Sequence, residues 1–197
     1  MERKIELPQE LSDAEGVSST VRIYLDLVRL KWLYRQGWLQ RRVPRSCCES
    51  VAEHSFAVAI LAMLMADSTF PELDREKLLG MALLHEFGEI DAGDLTPRDG
   101  VEPAEKHRRE QESVKRVLGG LSRGASYVDL WREYAEGRSA EARFLREVDR
   151  LEMGLQAVVY EHQGHGDLGE FLDSAKQQIQ SPELQEILAE IITLRTT

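Results

Sequence analysis

Phe144, Val148, Leu151, Leu155, Val158 and His162 follow one another at steps of four, three, four, three and four residues. That spacing draws one stripe along an α-helix and cannot serve a strand, whose faces alternate at every second residue. The same rhythm recurs along the chain. Val21, Tyr24, Leu25, Val28 and Trp32 mark a first helix over about residues 19–36, and Leu184, Ile187, Leu188 and Ile191 mark a last one. No segment alternates convincingly with period two, so the expected fold class is all-α.

Punctuation places the remaining helices. Ser50 and Glu53 have the spacing of a capping box, which opens an apolar helix to about residue 67. Pro71 breaks the chain, and Asp74 is placed to cap a third helix to about residue 90. Residues 92–94 and 96–100 carry loop signals. A charged helix over 102–118 ends at Gly119-Gly120, and a short one carries Tyr127, Leu130, Trp131 and Tyr134. Gly164 and Gly166 end the sixth helix, and Ser181-Pro182-Glu183 begins the last. Residues 1–16 are polar and read as an irregular segment. Residues 17–197 read as a single domain of about six to eight helices, the size expected of one ordinary domain.

Charge narrows the partners. Asp and Glu number 35 against 25 Lys and Arg, a net charge of −10 with His neutral. A nucleic-acid polymer wants a basic surface, so none is expected as a partner. A small phosphorylated ligand in a locally basic pocket fits. The longest apolar run, residues 56–66, is shorter than the roughly 20 residues a bilayer span takes, and no membrane association is expected. The first sixteen residues lack the apolar stretch of a secretory signal. The two cysteines, Cys47 and Cys48, are adjacent, which excludes a disulfide scaffold and suits a cytoplasmic protein with reduced thiols.

The chemistry concentrates in a few places. On a helix, His85 and Glu89 share a face, and Glu86 lies beside them. Met81 to Leu84 are apolar, so this helix enters the core, where a His and two carboxylates are costly unless paired or bound to an ion. A hydrogen-bonded His with surface acids is the plainer alternative. His54 alone fits a satisfied core histidine, and Asp149 alone fits an ion pair to Arg146 or Arg150. Together, imidazoles and carboxylates from separate helices suit one divalent ion, such as Mn²⁺, Co²⁺, Fe²⁺, Zn²⁺ or Mg²⁺. Such an ion activates water and polarises a phosphoryl oxygen. Nearby arginines would bind phosphate by forked hydrogen bonds. Trp38, beside Arg41 and Arg42, suits either stacking on a base or packing on the core. Glu152, one turn after Asp149, is placed to stand behind a ligand.

Glu49-Ser50-Val51-Ala52-Glu53-His54-Ser55, His85-Glu86-Phe87-Gly88-Glu89, Gly93-Asp94, Pro97 and Asp149-Arg150-Leu151-Glu152-Met153 resemble, in that order, the HD-domain metal-dependent phosphohydrolases. The 5′-deoxynucleotidase branch looks most similar, and the resemblance covers most of the chain. It implies a single-domain HD-type bundle, and an enzyme releasing phosphate from a nucleoside 5′-monophosphate, deoxy by the branch. It implies His54, His85, Glu86 and Asp149 as metal ligands. Glu89 and Asp94 are implied for the water attack and leaving-group protonation, and a homodimer is expected. An arginine ahead of the first His helps hold the phosphate in the family; Arg45 is the candidate, with Arg41 or Arg42 beside it, at a longer spacing than the family's. Cys47 stands where the unshifted spacing would put it.

Glu86 departs from the family, which has Asp there. Its extra methylene moves the carboxylate by roughly 1.5 Å. Three arrangements are open: a Glu ligand, three protein ligands completed by water, or loss of the metal. The last would leave a non-catalytic nucleotide-binding or scaffold protein. A phosphodiesterase or a hydrolase of polyphosphorylated nucleotides is the other rival on this scaffold.

Overall fold

The computed structural model describes residues 1–12 and 14–195. The helices are α1 (Gln9–Ser12), α2 (Ser19–Trp32), α3 (Gln36–Leu39), α4 (Val51–Ser68), α5 (Arg75–Leu84), α6 (Glu89–Ala92), α7 (Pro103–Leu118), α8 (Gly124–Glu136), α9 (Ala140–His162), α10 (Gly169–Gln178) and α11 (Pro182–Arg195). A 3₁₀ turn, Pro97–Asp99, joins α6 to α7. Among the described residues there is no strand beyond two isolated bridges, so the all-α expectation holds. The eight helices of ten or more residues form the expected bundle, and α1, α3 and α6 are single turns.

Caps start α4 and α5 where the sequence placed them, and Ser139, which the sequence reading did not single out, caps α9. Ser50 Oγ accepts from Glu53 N at 3.2 Å while Glu53 Oε2 accepts from Ser50 N at 2.6 Å, a complete capping box on α4. Asp74 accepts from Lys77 N at 3.1 Å, and Ser139 from Ala142 N at 3.1 Å. Each such cap contributes about 1 kcal/mol. At α10 the N-cap residue, Leu168, caps nothing, and Asp167 Oδ1 accepts from Gly169 N at 2.9 Å instead.

The central element is α9. Phe144, Val148, Leu151 and Val158 are buried along it, as the stripe requires, while His162 is exposed and bonds Leu194 O. One core joins α9 to α4, α5, α10 and α11 through residues such as Val58, Met81, Leu145, Leu172 and Leu188. A second joins α2, α6, α7 and α8 through Leu30, Ile90, Val117 and Trp131. A third seats Trp38 against Tyr160 and Met153 of α9. The functional side chains lie where α4, α5, α6 and α9 meet.

Several boundaries differ from expectation, each for a non-local reason. The first helix stops at Trp32, because Leu33 O accepts from Val51 N and Arg35 N donates to Glu49 O. Leu33 to Arg35 are thereby drawn out as extended chain against the start of α4. The third helix stops at Leu84, and residues 85–88 form a tight turn in which Phe87 N bonds Leu84 O and Glu89 N bonds Glu86 O. Gly88 is required in that turn, since a Cβ there would lie 2.6 Å from Glu110 Cβ on α7. The N-terminal segment is more ordered than expected. It holds α1, Lys4 N donates to Trp32 O, and Glu2 N donates to Gln36 Oε1.

The apolar run at 56–66 is part of an 18-residue helix, α4, which by length and composition is apolar enough to cross a membrane. Its packing explains that composition in part: Val51, His54, Val58, Ala59, Ala62, Met65 and Ala66 are buried inside the bundle.

Candidate active site

His54 enters from the second turn of α4, His85 caps the end of α5, Glu86 follows in the tight turn, and Asp149 comes from the middle of α9. One ligand atom from each lies within 4.8 Å of all the others. Glu86 Oε1 is 3.7 Å from Nε2 of both histidines. Asp149 Oδ1 is 3.2 Å from His54 Nε2, at an angle that makes no hydrogen bond. Both Nε2 atoms are buried without a hydrogen-bond partner, while both Nδ1 atoms are engaged, His54 with Glu152 and His85 with Ala82 O, each at 2.7 Å. Leaving two buried nitrogens unpaired is costly. Two such nitrogens facing two carboxylates fit one divalent ion with mixed N and O donors. The turn that interrupts α5 lets the longer Glu86 side chain reach the same point as the rest.

Electrostatics follows from burial and this crowding. Burial and Arg35 disfavour a charged His54, but Glu152 and Asp149 outweigh them and push it up to about 10. Burial pushes His85 below the usual histidine range. Burial opposes the charge of Glu86, yet His85 and Arg35 hold it below the usual carboxylate range; Arg150 and His54 do the same for Asp149. Without an ion at pH 7, His54 is therefore charged, His85 neutral, and both carboxylates ionised. A bound ion needs both imidazoles neutral. Binding should release one proton, from His54, and affinity should climb about tenfold per pH unit between pH 7 and 9. Calorimetry in buffers of different ionisation heat counts that proton; a count of zero or two contradicts this charge assignment.

A cavity of about 730 Å³ opens over the cluster, with His85, Glu86 and Asp149 in its floor. Glu89 Oε2 is buried there without a partner. Burial, with Glu86 and Asp94 adjacent, holds Glu89 well above the usual carboxylate range, which favours its protonated form. Gly93, at φ 79°, turns the chain after α6 and brings Asp94 back to the site, where Oδ2 accepts from Gln36 N at 2.6 Å.

The arginine at the floor is Arg35. Its Nη1 lies 3.3 Å from Glu86 and 3.6 Å from Asp94, and its side chain is 15% exposed. Burial disfavours its charge, but Asp94 and Glu86 hold it firmly protonated. The candidate Arg45 is elsewhere: 67% exposed, paired with Glu2 and off the cavity wall. Arg42 is also exposed and off the cavity. Arg41 is at the rim, paired with Glu170 over Phe171. Trp38 backs the wall but is buried, edge-on to Tyr160 at 5.3 Å and tilted on Phe171 at 4.2 Å, with Nε1 donating to Glu49. Its ring is packed on the core and is not free to stack on a base. His107, within a charge-rich run, is half-buried and stacks on Trp131 at 5.6 Å.

The profile of the HD domain family matches residues 27–192. The chain belongs to the HD domain family. This HD domain protein is 36% identical over 179 residues to the human 5′-deoxynucleotidase HDDC2, covering 88% of this chain and 85% of that one. It is 33% identical over 172 residues to the 5′-deoxynucleotidase YGK1 of Saccharomyces cerevisiae, covering 83% and 77%. Among solved structures, the PH0347 protein of Pyrococcus horikoshii superposes with a TM-score of 0.75 at 33% identity, covering 88% of this chain and 99% of that one. A predicted metal-dependent phosphohydrolase of Magnetospirillum magnetotacticum does so at 0.71 and 27% identity, covering 98% and 96%.

Proposed function

We propose that this HD domain protein releases phosphate from deoxynucleoside 5′-monophosphates with one divalent ion held by His54, His85, Glu86 and Asp149. The convergence of two unpaired Nε2 atoms with two carboxylates, beside Arg35 and under an open cavity, carries this reading. The curated relatives, named as 5′-deoxynucleotidases, supply the substrate class. When bound, the ion would supply Lewis-acid polarisation of water and phosphoryl oxygen. Arg35 holds the phosphoryl oxygens by its fork and offsets their charge. Asp94, anchored on Gln36 N through Oδ2, orients the attacking water with its other carboxylate oxygen, beside Arg35. Glu89, whose carboxyl burial holds well above the usual range, gives a proton to the departing 5′-oxygen.

The test is phosphate release from deoxy- and ribonucleoside 5′-monophosphates by metal-stripped protein, with Mn²⁺, Co²⁺, Zn²⁺ or Mg²⁺ added singly. Turnover that needs an ion and favours the deoxy substrate is expected. No release with any ion sinks the nucleotidase reading.

A homodimer is part of the same proposal. Phe56, Ile60 and Leu64 recur at four-residue steps on the outer face of α4 and are all exposed. Such a stripe on a surface helix favours a covered face. Light scattering should give twice the chain mass, and Phe56→Glu with Ile60→Glu should give the single-chain mass. A monomeric wild type removes the dimer.

A further inference from the structure

Behind His54, away from the cavity, lie two more acids, Glu152 of α9 and Glu49 ahead of α4. Glu152 is buried, and its Oε2 is 2.7 Å from His54 Nδ1. Asp149, one turn earlier on the same helix, approaches Nε2 of the same ring at 3.2 Å. The single helix α9 thus holds both edges of the His54 imidazole. His85 is fixed differently, by the neutral carbonyl of Ala82.

We propose that Glu152 is a positioning residue of the metal centre: its carboxylate fixes the His54 ring with Nδ1 as donor and Nε2 aimed at the ion, and strengthens Nε2 as a ligand. The inference rests on the metal-centre reading above. The physical ground is that a buried anionic acceptor on one imidazole nitrogen selects the tautomer and raises electron density at the other. A charge-assisted hydrogen bond of this length is also stronger than the one His85 makes to a backbone carbonyl. The two histidines are therefore unequal, with His54 the stronger donor.

Glu49 does not share the role. Its carboxylate lies within 4.8 Å of both Glu152 and His54, but Trp38 Nε1 donates to its Oε1 at 2.7 Å and Tyr160 Oη accepts from its backbone N. Those two contacts tie Glu49 to the Trp38 wall. The trio Glu49, His54 and Glu152 also has the make-up of a cation site, and the experiment separates that possibility.

Zn²⁺ is titrated calorimetrically into metal-stripped wild type, Glu152→Ala, Glu152→Gln and Glu49→Gln, each affinity being corrected for the protons that variant releases on binding, and Co²⁺ is added for its visible spectrum. Glu152→Ala should weaken Zn²⁺ binding about 10- to 100-fold. Glu152→Gln keeps an acceptor for Nδ1 and can turn its amide toward Glu49, so it should fold as wild type. It should still lose affinity, by about two- to tenfold, and shift the Co²⁺ band, because only the charge has gone. Glu49→Gln should bind within about twofold of wild type. If Glu152→Ala does not fold, the Gln variant carries the test through affinity and spectrum. Wild-type affinity and an unshifted band in folded Glu152→Gln overturn the proposal. So does a stoichiometry of two ions that falls to one in Glu49→Gln, which would make the acid pair a site in its own right. A wild type that binds no ion overturns the metal-centre reading along with it.

Discussion

His85→Ala should leave a folded protein that releases phosphate from deoxynucleoside 5′-monophosphates at no more than about a thousandth of the wild-type rate. The loss is large because His85 supplies one of two nitrogen ligands. Lewis-acid activation is worth several kcal/mol of barrier, and each 1.36 kcal/mol is tenfold in rate. The fold should survive because the contacts that lock this turn are made by the backbone. Trp131 Nε1 donates to His85 O at 3.0 Å, and Phe87 N bonds Leu84 O, neither of which needs the imidazole. The ring itself leaves a buried Nε2 unpaired in the metal-free protein, so its removal relieves one unsatisfied group while opening a small cavity. Circular dichroism and melting check the fold, elemental analysis checks the ion, and phosphate release checks the rate. A folded His85→Ala protein that keeps a tenth of wild-type activity under the same metal would rule out His85 as a ligand.

The grouping of His54, His85, Glu86 and Asp149 was legible in the sequence through the ordered motifs around them that resemble the HD-domain phosphohydrolases, whereas His54 and Asp149 alone fitted plainer readings. His54 follows a capping box that forms as written, His85 ends an apolar stretch, and Asp149 adjoins the stripe of α9. Helix type and the longer helices were legible because periodicity and caps are local. What escaped is set by distant partners. Arg35 reads as the last turn of the first helix, but Glu49 and Val51 pull the chain extended and swing it to the floor of the site. Trp38 leaves stacking on a base and packing on the core both open, and Tyr160 and Phe171, more than a hundred residues on, decide for the core. The turn at residues 85–88 is imposed by α7 approaching Gly88, which no pattern within that segment announces. The N-cap position of α10 is Leu168, and the acceptor for its first amide, Asp167, stands one residue earlier, outside the usual cap spacing.

The displaced arginine gives the sharpest contrast between the two ways of placing the phosphate. Arg35→Met should lower kcat/KM for a deoxynucleoside 5′-monophosphate about 100- to 1,000-fold, the usual cost of removing one preorganised group that meets developing charge. Arg45→Met should stay within about twofold, because an exposed pair such as Arg45 with Glu2 contributes little. Part of the Arg35 effect comes from what it leaves behind. Glu86, Asp94, Glu89 and Asp149 all act on Arg35 from within the site. With that cation gone, the carboxylates repel the incoming phosphate as well as each other. Arg35→Lys keeps the charge but not the fork, so it should restore ground-state binding more than turnover, lowering KM toward wild type while kcat stays depressed. Steady-state phosphate release by the three variants at saturating metal decides it. Wild-type kcat/KM in Arg35→Met, or a large loss in Arg45→Met, would move the phosphate out of the cavity floor and return it to the exposed loop after α3.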